Sequence, residues 1–205
     1  TSNDPTITMT DSSGTNDIVT LQSTSGALIV TARDGNANGE IIFKGDTGSA
    51  VTEHMRINNA GIITKPKQPA FLARGTTQNN MAVGSDVTIV LSTEVFDQNA
   101  DYDNGTYTFT APITGRYQLN MNLYLTNVDT AANFCYGAIK TSNQFYYNLF
   151  DLGGLSADPV YWSVTMSVLA DMDANDTAKV VFYQANGTQQ TDSTTHSHFS
   201  GFLAC

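Results

Sequence analysis

Short alternations of apolar and polar residues run the length of this chain, and nowhere is an apolar pattern at i, i+3 and i+4 sustained, so the sequence predicts strands and almost no helix. The longest alternation lies in residues 91–125, LSTEVFDQNADYDNGTYTFTAPITGRYQLNMNLYL. Its DNG at residues 103–105 predicts a tight turn, because Asn and Gly tolerate positive φ. Side chains alternate across a strand, so Tyr107 and Phe109 are expected on one face, and Tyr117, Leu119, Met121, Leu123 and Leu125 likewise on one face. Pro112 and Gly115 bracket a corner between the two strands.

Residues 1–67 hold six short alternations, ITM, DIVTL, ALIV, EIIF, HMRI and GIIT, separated by Gly, Asn, Asp and Ser. Each is too short to bury its own face, and the regular spacing predicts an elongated, repetitive β-rich stalk whose strands pair with neighbouring chains. A linker is the other reading, but disordered segments are poor in the Ile, Val and Thr that fill these runs. Pro66 and Pro69 end the segment, which places a boundary at Lys67 and a second domain over 68–205. That domain continues through MAVGSDVTIVLSTEVF, NFCYGAIK, QFYYNLF, VYWSVTMSVLADM and AKVVFYQA. In VYWSVTMSVLADM, Tyr161, Ser163, Thr165 and Ser167 alternate with Trp162, Val164, Met166 and Val168, so one face goes to a core and the other to solvent or a neighbouring subunit.

Asp97, Tyr102, Phe109, Gly115 and Tyr117 fall on the signature of the C1q-like globular head, a relative of the tumour-necrosis-factor jelly rolls, and the segment resembles that family. PAFLAR at residues 69–74 and HFSGFLA at 198–204 resemble its first and last strands, while Leu91, Leu119 and Met121 stand where the family usually has aromatics. The resemblance implies an all-β, trimeric jelly-roll β-sandwich. Within the N-terminal segment, TEHMRINNAGIITKP at residues 52–66 resembles a connector of bacteriophage tail fibres, with Glu53, Met55, Arg56, Ile57 and Gly61 on its phrase. Met55 and Ile57 share a strand face there, and NNAG supplies a turn.

The chain has 205 residues, 40% of them hydrophobic, enough for one real core. Its net charge of −10 is concentrated after residue 68, where twelve acids stand against four bases. Such a surface repels phosphate, which argues against nucleic acid and against an anionic membrane. No apolar run reaches the length of a membrane span, and the opening TSNDPT predicts no secretory signal. Two cysteines set no disulfide framework: Cys135 reads as a buried small hydrophobe, and its link to Cys205 is disfavoured in a reducing cytosol. The sequons at Asn104, Asn175 and Asn186 read as turn chemistry.

No GxSxG elbow, phosphate loop or HExxH occurs, so no enzymatic activity is expected. Asp97, Asp101 and Asp103 cluster, as do Asp171, Asp173 and Asp176, but neither run completes a calcium loop. The candidate receptor-binding residues are Phe145, Tyr146, Tyr147 and Tyr161, with Tyr183 a further exposed ring, because tyrosine stacks on sugars or anchors protein contacts at small entropic cost. Subunit packing is the competing role for these rings. His196 and His198 are the candidate metal ligands: residues two apart on a strand share a face, and H-x-H pairs from three chains of related fibre tips can hold a transition metal on a three-fold axis. Apart from such a metal, no cofactor is expected. The two resemblances together imply a homotrimeric virion protein assembled in the host cytoplasm, a tail fibre whose head binds a host-surface glycan or protein. The alternative is a capsid fibre or decoration protein docking to other virion proteins through one end of the chain.

Overall fold

The computed structural model, which describes residues 6–10, 18–34, 39–46 and 48–205, places a strand on each apolar alternation of the N-terminal segment. The chain divides into two units, Thr1–Lys67 and Gln68–Cys205. In the first, β1 (Thr6–Thr10), β2 (Ile18–Thr24) and β3 (Ala27–Arg33) form one antiparallel sheet, and β4 (Ile41–Asp46), β5 (Val51–Ile57) and β6 (Ile63–Thr64) form another. The strands expected to pair with neighbouring chains thus pair within this one. Local turns explain it: Ser25 and Gly26 both take positive φ, 49° and 81°, as a two-residue hairpin of the I′ kind requires. Asn58 closes the NNAG turn, its side-chain oxygen accepting from the Ala60 and Ile62 N–H at 3.0 and 2.9 Å.

A β-bulge explains the Glu53/Arg56 pair. Phe43 pairs with Met55 but Lys44 with Glu53, which leaves His54 unpaired. Residues three apart on a regular strand face opposite ways; one extra residue shifts the phase and brings them together. Arg56 then forks onto Glu53 at 3.0 and 2.6 Å and also binds Glu40. Among the described residues of this unit, none is buried.

The second unit contains β7 (Ala70–Arg74), β8 (Val87–Thr88), β9 (Thr93–Asp97), β10 (Tyr102–Asp103), β11 (Thr108–Thr110) and β12 (Gly115–Thr126). It continues with β13 (Phe134–Thr141), β14 (Phe145–Phe150), β15 (Tyr161–Met172), β16 (Thr177–Ala185), β17 (Asp192–Ser193) and β18 (His198–Leu203). One sheet runs β15-β12-β18-β7-β9 and the other β10-β11-β16-β13-β14, with β17 on β12 and β8 on β16. The first and last strands of the unit, β7 and β18, are antiparallel neighbours.

The core between the sheets is centred on Phe71, whose ring lies 5.1 Å from Tyr102, 4.8 Å from Phe109 and 5.0 Å from Phe199. Tyr117 joins through Phe109 at 5.4 Å. Both tyrosine hydroxyls are satisfied inside the fold: Tyr102 donates to the Leu91 carbonyl at 2.9 Å and Tyr117 to the Ile113 carbonyl at 2.8 Å. Leu91, Leu119 and Met121 are all buried, so the positions that depart from the aromatic pattern keep their place in the core. Gly115 is glycine because a Cβ there would come within 2.8 Å of the Cys205 carbonyl oxygen. Cys135 is buried and Cys205 exposed, both free, and burial pushes the Cys135 thiol up to about 12.

Tyr107 departs from the expected pattern. It does not share a strand face with Phe109 but takes φ 60° in the turn, and β11 starts one residue later. Asp103 lengthens that turn by accepting from the Gly105 N–H and the Thr106 hydroxyl, both at 2.8 Å.

Candidate functional site

The strands β13, β14 and β16 carry an aromatic shelf on the face turned away from the core. Alternation sends Cys135 and Ile139 inward and Tyr136 outward, and the pairing sets Tyr136 opposite Tyr183. Those two rings stack at 4.9 Å, and Phe134 stacks on Tyr183 at 5.8 Å. From β14, Phe145 and Tyr147 approach Tyr136 to 5.5 and 5.8 Å. Tyr147 is 56% and Phe145 38% exposed, so their rings offer apolar area to solvent.

Charge lines one edge of the shelf. Asp86 accepts from the Tyr136 hydroxyl at 2.5 Å and from Lys140 Nζ at 3.1 Å, and Lys140 lies 5.6 Å over the Phe145 ring. Burial alone would raise the Asp86 carboxyl; the bonds from Tyr136 and Lys140 and the charges of Lys140 and Lys179 outweigh it and hold it below the usual range. Tyr136 is raised, first by burial and then by its bond to that carboxylate.

Of the expected binding residues, the structure brings Phe145 and Tyr147 together and separates the other two. Tyr146 pairs with the buried Ile139 and packs half-buried against the core, because a strand alternates and its neighbours point out. Tyr161 opens β15 in the other sheet, where its ring lies 5.8 Å from Tyr124. Six residues further along β15, that sheet presents uncharged polar side chains bonded to each other, Gln118 donating to Ser167 and Ser167 to Asn120, both at 2.8 Å. Tyr136 and Phe134 were missed by sequence reasoning. Their parity opposite Cys135 and Ile139 in NFCYGAIK was a usable signal.

The histidines are not two apart on one strand. His198 opens β18 opposite Asn122 and Arg74, whereas His196 lies in a turn with its ring edge-on to Tyr124 at 5.3 Å. Strand alternation therefore does not align them. Among the described residues no group of three or more His, Cys, Asp or Glu is placed to hold a metal, so this pair would need ligands from further chains. The acidic clusters are spent on turns: Asp97 accepts from the Asp101 and Tyr102 N–H at 3.1 and 2.8 Å, and Asp176 from the Asp173 N–H at 2.8 Å. Among the described residues no helix is long and apolar enough to cross a membrane.

Residues 70–204 match the C1q domain model, and the chain belongs to the C1q domain family. Its fold is the all-β C1q/TNF-like jelly roll. It is similar to the globular domain of zebrafish complement 1qA protein, with 15% identity and a TM-score of 0.51 over 67% of this chain and 98% of that one. Murine APRIL, crystallised at pH 8.0, aligns over 67% of this chain and 98% of its own at 13% identity, with a TM-score of 0.47. No curated protein matches the sequence.

Proposed function

We propose that the chain is a non-enzymatic, homotrimeric virion fibre protein whose C1q-type head binds a host-surface receptor. The observation that carries this reading is the contrast between a fully cored head and an N-terminal unit in which no described residue is buried. Ile7, Leu28, Val51 and Ile63 are each more than half exposed on short strands. Three-stranded sheets with no covered face gain little from burial, so copies of the same segment supply the missing layer. Bacteriophage origin is supported by the E-x-M-R-I connector, whose Glu53 and Arg56 form a local ion-paired fork.

Trimerisation also suits weak receptor binding, since linked sites gain avidity without any new contact. Light scattering on the purified chain is expected to give three times the monomer mass, and a stable folded monomer at micromolar concentration refutes the reading. Antibody labelling of intact particles is expected at tail-fibre tips. Labelling over the capsid surface identifies a decoration protein instead. Purified protein is expected to compete with virions for host cells.

A further inference from the structure

We propose that the shelf on β14, β13 and β16 takes a carboxylate-bearing saccharide, with sugar rings on Phe145 and Tyr147 and a carboxylate at Lys179, beside the Lys140–Asp86 pair. This rests on the receptor-binding reading above and names its ligand class.

The second unit has only four Lys or Arg, and two of them, Lys140 and Lys179, are direct cross-strand partners. Like charges in that position work against the sheet. Asp86 offsets one of them, pairing with Lys140 at 3.1 Å, while Lys179 makes no salt bridge among the described residues. The three groups together keep one positive charge, on a unit carrying twelve acids.

Geometry ties that charge to the rings. Lys140 is held over Phe145, and Phe145 lies 5.6 Å from Tyr147, so exposed rings and cations form one continuous strip. A pyranose presents an apolar C–H face that stacks on an aromatic ring and, when oxidised or sialylated, a carboxylate at its edge. That combination uses both parts of the strip. A neutral sugar leaves Lys179 without a partner, and a nucleic acid sets a dense row of phosphates against the surrounding carboxylates.

Calorimetric titration of the full chain with oligogalacturonate and oligosialate, beside a neutral galactose oligomer of equal length and poly-glutamate, tests the assignment. At least one acidic saccharide is expected to bind at least about tenfold more tightly than the neutral one, weakening as salt is added. Lys179→Gln is expected to cost about tenfold for the acidic saccharide alone, the scale of one charge-assisted hydrogen bond. Tyr147→Ala is expected to weaken every saccharide that binds. Equal affinity for acidic and neutral sugars, indifference to Lys179→Gln, or poly-glutamate binding as tightly as the sugars overturns the proposal. If neither acidic saccharide binds but the protein still competes with virions for cells, the ligand class is wrong and the receptor reading stands. Failure in both assays removes both.

Discussion

Asp129 is the residue whose replacement tests the head's loop architecture most directly. Its side chain is 3% exposed and links the β12–β13 loop to the β16–β17 loop. One carboxylate oxygen accepts from the Ala131 N–H at 2.7 Å, the other from the Thr188 and Gln189 N–H at 2.5 and 2.7 Å. In Asp129→Asn, the amide oxygen can face only one of these groups of donors, so at least one part-buried N–H meets an NH2. Loss of charge-assisted bonds from part-buried donors sets the expected destabilisation at about 1–3 kcal/mol. Burial alone would raise this carboxyl, but the N–H donors of Gln189, Ala131 and Thr188 outweigh it and hold it below the usual carboxylate range. A group depressed on folding contributes stability above its unfolded value, near pH 4, and loses it as the pH falls through the folded value. The gap between wild type and Asp129→Asn is therefore expected to narrow on acidification below about pH 4. Urea unfolding followed by the fluorescence of Trp162, the single tryptophan, stacked on Phe150 at 5.6 Å, reads the head at fixed protein concentration. A difference under about 0.5 kcal/mol at neutral pH, or a gap that is flat across acidification, refutes the reasoning.

Two further substitutions separate core from surface. Phe71→Ala removes the central ring of the aromatic core and is expected to cost about 3–5 kcal/mol in the same assay; a cost below about 1 kcal/mol contradicts the stacking described. Tyr146→Ala is expected to lower stability by more than about 1 kcal/mol, whereas Tyr147→Ala stays within about 0.5 kcal/mol, because only the first ring packs on the core. The reverse ranking in thermal melts would mean that β14 presents its other face.

Much of the strand content was legible because alternation with period two is a local property. The long strands β12 and β15 follow it residue by residue, down to the outward Tyr161, Ser163, Thr165 and Ser167. What failed was local chemistry that breaks the period. The DNG signal reads the same whether two or four residues turn, and only the Asp103 side chain decides that Tyr107 stays in the loop. His196 leaves the strand because the buried Ser197 turns inward, donating to Ser193 or accepting from it at 3.0 Å and accepting the Tyr124 N–H at 2.9 Å. The aromatic shelf was only half legible for a different reason. Exposure of Phe145 and Tyr147 follows from alternation, but the meeting of Tyr136 with Tyr183 and of Lys140 with Lys179 follows from the β13–β16 register, which no local pattern encodes.

The two units use the same alternation with different physical outcomes. In the head, facing sheets close on each other, and register, turn and core agree. In Thr1–Lys67 the register is specified just as firmly, by the paired positive φ of Ser25 and Gly26, the bulge at His54 and the Glu53–Arg56–Glu40 fork. Those devices choose which strands pair and in what phase, yet they bury almost nothing, and exposed ion pairs are worth little on their own. On the trimeric reading proposed above, copies of the segment supply the layer that its described residues do not bury. The urea unfolding of this unit, followed by far-ultraviolet circular dichroism, is accordingly expected to shift with protein concentration.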